Sequence, residues 1–249
     1  MAVVGLLNLK GGVGKTSIVC QAIAWLRDRG HTVAVIDADP QTATRDWAAI
    51  ACPDVEIITT TDPDVILDQA AELGDRIDYL LIDSPAGMAE PSRAIALVAD
   101  VIVIPTGQSV MDLAATKRTT DLVKRVQRAR RDGGPRACIL LNGVQPNTRL
   151  FAEATETVPD FDLPVLGAVI RRRQAIMDSI GQGLAIWRMG YAARQAAQEI
   201  DAALKEVFAY GQEEADNITG GAVTTGDTVT GGAEDSRREG RTDEEHPKA

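Results

Sequence analysis

Apolar residues in this chain fall into short dense runs, separated by longer stretches in which they recur every three or four positions. The dense runs are Val3–Leu9, Thr32–Ile36, Val55–Ile58, Tyr79–Ile82, Val101–Ile104, Cys138–Leu141 and Val165–Val169. Short, near-continuous runs rich in Val and Ile predict parallel strands buried on both faces. Between them, Thr16–Arg29 carries Val19, Ala22, Ile23 and Leu26 at helical spacing and stops at Gly30, a residue type that closes helices readily. Leu113–Arg131 and Ala192–Tyr210 predict two further helices. Strand–helix alternation of this kind predicts an α/β fold: a doubly wound, mostly parallel sheet with helices on both faces. The pattern runs without a linker to Tyr210, so one domain over residues 1–210 is expected, followed by a tail over 211–249.

Composition narrows the chemistry. Three cysteines, Cys20, Cys52 and Cys138, lie far apart, which excludes a zinc ribbon and a disulfide scaffold and suits a reducing compartment. They read as small buried apolar residues. Two histidines, His31 and His246, exclude a His-rich metal site. The N-terminus lacks a basic segment and a cleavage site, and no apolar run reaches the roughly 18 residues of a membrane span, so a cytoplasmic protein is expected.

Net charge is −10, unevenly spread. Residues 211–249 hold ten acidic and four basic residues and no aromatic, around the low-complexity run TGGAVTTGDTVTGG. Such a segment buries too little apolar area to offset its ordering entropy, so it reads as a disordered, acidic, Gly/Thr-rich solubilising tail. Much of the remaining basic charge lies in two windows, Lys117–Arg136 and Arg171–Arg194.

The sharpest chemical signal is Lys10-Gly11-Gly12-Val13-Gly14-Lys15-Thr16, between the first strand and the first helix. Glycines let backbone N–H groups turn toward a phosphate chain, and the helix N-terminus adds partial positive charge. Lys15 can reach β- and γ-phosphates, and the Thr16 hydroxyl can ligate Mg²⁺. Leu9 stands where the common phosphate-loop pattern has its first Gly, and the loop carries two lysines. Asp37 and Asp39 end the second strand, in VAVIDADPQ, and Asp83 ends the fourth, in LLIDSP. Ligands of open α/β sheets sit beyond such carboxyl ends, so three acids beside a phosphate loop suit a metal–triphosphate site.

These residues resemble the ParA/MinD family of deviant Walker A ATPases. KGGVGKT is similar to its deviant Walker A, DADPQ to its switch I motif and LLIDSPAG to its Walker B and switch II; ADVIVIPTGQSVMDLAAT and ILLNGV extend the likeness over residues 1–210. Within the family, the short chain and DADPQTATRDWAA resemble small plasmid-partition ParA proteins and McdA-type carboxysome positioners. The resemblance implies ATP and Mg²⁺ as cofactors, with the nucleotide held by Gly11, Gly12, Val13, Gly14, Lys15, Thr16 and Ser17, and with Asn142 near the adenine. It implies Thr16, Asp37 and Asp83 at the metal. By the same resemblance, Lys10 matches the signature lysine that crosses an ATP-sandwich dimer to the partner's phosphates, and Asp39 matches the aspartate that orients the attacking water. Ser84-Pro85-Ala86 departs from the family, where Pro-Pro often follows a Thr or Cys.

A membrane-cycling relative needs a basic amphipathic C-terminal helix, which the acidic tail disfavours, and an iron–sulfur relative needs cysteines at a dimer interface. The family and the basic windows together imply a nucleoid-associated homodimer that binds non-specific DNA, with Lys117, Arg171, Arg172, Arg173 and Arg194 as its phosphate contacts. An adaptor protein, ParB-like or McdB-like, would stimulate hydrolysis, and the cargo would be a plasmid, a chromosome locus or a carboxysome. The alternative is a metabolic enzyme of the same fold that uses ATP to activate a small carboxylate; affinity of the ATP form for random-sequence DNA separates the two. Trp25, Trp47 and Trp187 read as packing residues.

Overall fold

Seven short strands, β1 (Ala2–Leu6), β2 (Val33–Asp37), β3 (Glu56–Thr59), β4 (Tyr79–Asp83), β5 (Val101–Thr106), β6 (Arg136–Val144) and β7 (Val165–Arg171), pair in parallel in the order β3-β2-β4-β1-β5-β6-β7. The computed structural model describes residues 1–212; of the expected disordered tail, Gly211 and Gln212 belong to the last helix and the rest lies outside the described residues.

Alternate residues of each strand point to opposite faces, which is why the apolar runs are continuous. Val4 and Leu6 of β1, Val33 and Val35 of β2 and Val103 of β5 pack on one side against α1 (Lys15–Arg27), α2 (Ala43–Ala51) and α8 (Arg194–Gln212). Side chains of α7 (Gln174–Gly181) join that layer. Val3, Ile36, Ile82, Ile102 and Ile104 pack on the other side against α3 (Pro63–Leu73), α4 (Ala89–Val98) and α5 (Val110–Ala129), with α6 (Arg149–Thr157) beside them. Trp25 stacks on Phe208 with ring centroids 5.3 Å apart, tying α1 to α8, and Trp47 is buried, so both serve packing as expected. All three cysteines are buried, and burial pushes the Cys138 thiol up to about 12.

The architecture agrees with the doubly wound expectation, and the element ends need correction. The first strand stops at Leu6, not Leu9, because Asn8 turns its amide inward to the Pro105 carbonyl (2.9 Å) and the Thr116 hydroxyl (3.1 Å). Helix α5 starts at Val110, where Ser109 and Asp112 form a reciprocal capping box, and ends at Ala129, leaving Arg131 outside it. Residues Tyr191–Ala193 form a separate short 3₁₀ turn before α8.

Candidate functional site

β1 is flanked by β4 and β5, and the chain leaves its carboxyl end into the glycine-rich loop. Gly12 and Gly14 have φ of +77° and +90°, left-handed conformations that glycine adopts at little cost. At Gly14 a Cβ would lie 2.2 Å from the Asn142 amide nitrogen, so a side chain there would be strained and would push Asn142 aside. Asn142, at the end of β6, donates from Nδ2 to the Val13 carbonyl at 2.7 Å and braces the loop from outside. Helix α1 then opens with no side-chain cap, leaving its first N–H groups free to receive an anion.

Lys15 is 5% exposed and donates to the Lys10 carbonyl at 3.2 Å, which curls the loop around its ammonium. Burial holds that ammonium below the usual lysine range, with Asp83 and Asp39 pulling the other way. Thr16 Oγ1 donates to Asp83 Oδ2 at 2.6 Å, and Thr44 Oγ1, on the first turn of α2, donates to the same oxygen at 2.8 Å. Asp83 Oδ1 is buried with no hydrogen-bond partner. Burial pushes the Asp83 carboxyl up to about 6, against the hydrogen bonds from both threonines.

That orphaned, buried carboxylate oxygen beside a threonine hydroxyl fits a hard cation with oxygen ligands. Among the described residues no group of three or more Asp, Glu, His or Cys forms a metal cage. Mg²⁺ suits this arrangement, since it binds through one or two protein oxygens plus phosphates and water. Thr16 and Asp83 would hold it, and the ion would neutralise charge on the β- and γ-phosphates.

Asp37, expected at the metal, instead receives backbone N–H groups in this structure: Asp39 N at 3.2 Å on Oδ1 and Arg45 N at 2.9 Å on Oδ2. Burial raises its carboxyl above the usual range, and these hydrogen bonds oppose the rise. It thereby pins the chain that carries Asp39. Asp39 itself accepts from Gln41 N at 2.9 Å, a local turn that leaves its second oxygen for another task. Lys10 forms an ion pair with Asp112, and its own N–H donates to Asn8 Oδ1 at 2.9 Å.

A cleft of about 510 Å³ opens beside the loop, lined by Gly12, Val13, Gly14, Ser17 and Asn142 on one side and by Gln108, Asp112 and Arg171–Arg173 on the other. The volume is within the range of pockets that hold small ligands. The structure thus brings together Lys10, the run Gly11–Ser17, Asp37, Asp39, Asp83 and Asn142. Sequence reasoning missed Thr44 and Asp112. For Asp112 the Ser109-x-x-Asp112 spacing at a helix start was a readable signal; for Thr44 none existed, because only the fold brings it to Asp83.

The sequence makes Arg171, Arg172 and Arg173 candidate DNA phosphate contacts, and the structure shows how each is held. Arg171 and Arg173 each reach Glu199 Oε1 at 2.7 Å, sharing one carboxylate between two guanidiniums, and all three arginines line the cleft. Lys117 pairs with Asp121 one turn on. Arg172 and Arg194 take no ion-pair partner among the described residues.

Comparison with known proteins agrees with this site. Residues 4–186 match the family described as the CobQ/CobB/MinD/ParA nucleotide binding domain. The chain is similar to maintenance of carboxysome distribution protein A from Halothiobacillus neapolitanus, 30% identical with 81% of this chain and 94% of the relative covered. It is 32% identical to the protein of the same name from Gloeobacter kilaueensis, over 80% and 94% of the two chains. Apo McdA of Cyanothece superposes with a TM-score of 0.69 at 18% identity, covering 84% of this chain and 99% of that one. MinD of Pyrococcus furiosus gives 0.64 at 20% identity, covering 84% and 98%. With residues 4–186 matched, the chain belongs to the CobQ/CobB/MinD/ParA family of nucleotide-binding domains.

Proposed function

We propose that this chain is a Mg²⁺-dependent ATPase that works as a dimerising switch and positions a cargo along non-specific DNA. The observation that carries this reading is the second lysine. Lys15 is buried at the loop's own phosphate position, whereas Lys10 reaches outward to Asp112 at the cleft wall. One chain needs only Lys15 to hold its nucleotide, so Lys10 is free to serve the phosphates of a second copy. Charge on a transferring γ-phosphate must be neutralised for useful rates, and a cation supplied in trans makes hydrolysis depend on dimerisation.

In this reading Gly11–Ser17 cradle the triphosphate and Asn142 bounds the base end. Thr16 and Asp83 hold the metal, Asp37 fixes the switch segment, and Asp39 aligns the attacking water. Two similar relatives are named for carboxysome distribution, which favours a carboxysome-like protein body over a plasmid as cargo, with an McdB-type activating partner. Arg172 and Arg194 are the members of the expected DNA set that no internal carboxylate neutralises, so they carry the phosphate contacts that hold the dimer on the nucleoid. The test is random-sequence DNA binding with ATP and with ADP. Affinity that appears with ATP and disappears in the Lys10→Ala protein supports the switch. Equal affinity in both nucleotide states rejects it.

A further inference from the structure

Five arginines cluster on the α4–α5 face without an ion-pair partner among the described residues: Arg93 on α4, Arg118, Arg125 and Arg128 on α5, and Arg131 just beyond it. All five are exposed. Nearby carboxylates are already committed. Asp121 is paired with Lys117, Asp132 with Arg130 and Asp162 with Lys124. Arg118 and Arg125 are seven residues apart, two helical turns, and so share one stripe of α5. Arg93 and Arg125 face each other across a groove of about 290 Å³ whose floor is Leu97, Leu122 and Val126, with Glu90 as its one lining carboxylate. On a chain of net charge −10, this is cationic surface built for an anionic occupant.

We propose that the occupant is this chain's own acidic segment after Gln212. Two observations favour it. The first is where that segment starts. Tyr210 Oη donates to the Ala137 carbonyl at 3.1 Å, and a Cβ on Gly211 would lie 3.2 Å from Val101, so α8 ends at the amino ends of β5 and β6. The α4–α5 pair lies on the opposite face and ends at the same edge of the sheet, where Arg130 donates to the Ala99 carbonyl at 2.6 Å, two residues before Val101, so the segment reaches the groove by rounding that edge. The second is charge. Glu213, Glu214 and Asp216 follow at once, within four residues, a reach of roughly 14 Å when extended. A tethered ligand of this kind faces its site at millimolar effective concentration, so weak individual ion pairs suffice. The contact would shield the arginine face from other polyanions. This inference does not depend on the ATPase reading.

The test uses the full chain carrying Arg93→Lys and Arg125→Lys, which keep the charge and supply amines for zero-length carbodiimide coupling. Mixed ¹⁵N-labelled and unlabelled protein separates links within one chain from links between two. Coupling of the introduced amines to Glu213, Glu214 or Asp216 within one chain, falling several-fold at about 0.5 M salt where charges are screened within about 4 Å, is the expected result. Links confined to Glu90, links between copies or no links would overturn it. Absence of tail coupling together with protection of both amines by random-sequence DNA would assign the groove to nucleic acid instead.

Discussion

Lys10 and Asp112 form an ion pair inside one chain, and Asp112 is at the same time the residue whose carboxylate accepts from Ser109 to cap α5. Hydrogen bonds from Lys10 and Ser109 hold that carboxyl below the usual range even though its partial burial works the other way. In the proposed function Lys10 has to leave Asp112 to serve a second copy, so this pair would set a threshold for dimerisation. A half-exposed pair contributes about 1 kcal/mol or less. The Asp112→Asn protein should therefore dimerise at a several-fold lower ATP concentration, as read by light scattering. An unchanged midpoint would show that the pair is already open under ATP.

The two lysines should divide labour. Lys15→Ala removes the buried cation from the loop's own phosphates, and loss of a charge-assisted contact of about 3 kcal/mol weakens nucleotide binding about a hundredfold. Lys10→Ala should bind fluorescent ATP analogues within a few-fold of wild type but lose dimer-dependent turnover. Equal loss of binding in both proteins would contradict the assignment.

Asp39→Ala should trap an ATP-bound dimer with little turnover, because the metal and phosphate contacts through Thr16 and Asp83 survive while water is no longer aligned. Size-exclusion chromatography with ATP gives the answer, and a monomer would rule the role out.

Asp83 links stability to pH when no cation is bound. Its folded value of about 6 lies above the ordinary 3.8. Between about pH 4 and 6 the folded chain therefore holds a proton that the unfolded chain has released. Stability from this group is full at low pH and is lost as pH rises through 6; a shift of about two units corresponds to roughly 3 kcal/mol. In EDTA at pH 7, Asp83→Asn should raise the melting temperature, by about 1–3 kcal/mol in stability, and should abolish any further gain from Mg²⁺–ATP. A lower melting temperature in EDTA would mean the carboxylate is not under strain.

Thr44→Val should weaken nucleotide binding about tenfold in the presence of Mg²⁺ and hardly at all in its absence. Removing one hydrogen bond from Asp83 costs about 1–2 kcal/mol and acts only when that carboxylate holds the metal. Thr44→Ser should restore the Mg²⁺-dependent increment. The same loss with and without Mg²⁺ would make Thr44 merely a packing residue.

Much of this was legible in the residues. Val33–Ile36 and Val101–Ile104 could only be strands buried on both faces, and GGVGKT between a strand and a helix left little choice of chemistry. What could not be read depended on distance across the fold. Five helices, among them α2 and α7, are short, and several carry mixed faces, so periodicity did not delimit them. Arg171 and Arg173 looked free because the carboxylate that pairs with both, Glu199, lies on α8. The unpaired charges also include Arg93, Arg125 and Arg128, whose isolation becomes visible only once Asp121 and Asp162 are seen to be taken.

Trp47 stands three residues after Thr44 on α2, 3% exposed, and its indole Nε1 has no hydrogen-bond partner. Trp25 and Trp187 differ, since their indole N–H groups donate to Asp201 and Asp28 at 2.9 Å and 2.8 Å. Three indoles in one chain therefore have distinguishable surroundings, and the dry one rides on the helix whose first turn touches the metal carboxylate. For the proposed switch this is a built-in optical reporter: a red shift of the bluest emission component on adding Mg²⁺–ATP would show that α2 responds to nucleotide and would time the response in stopped flow, without any label.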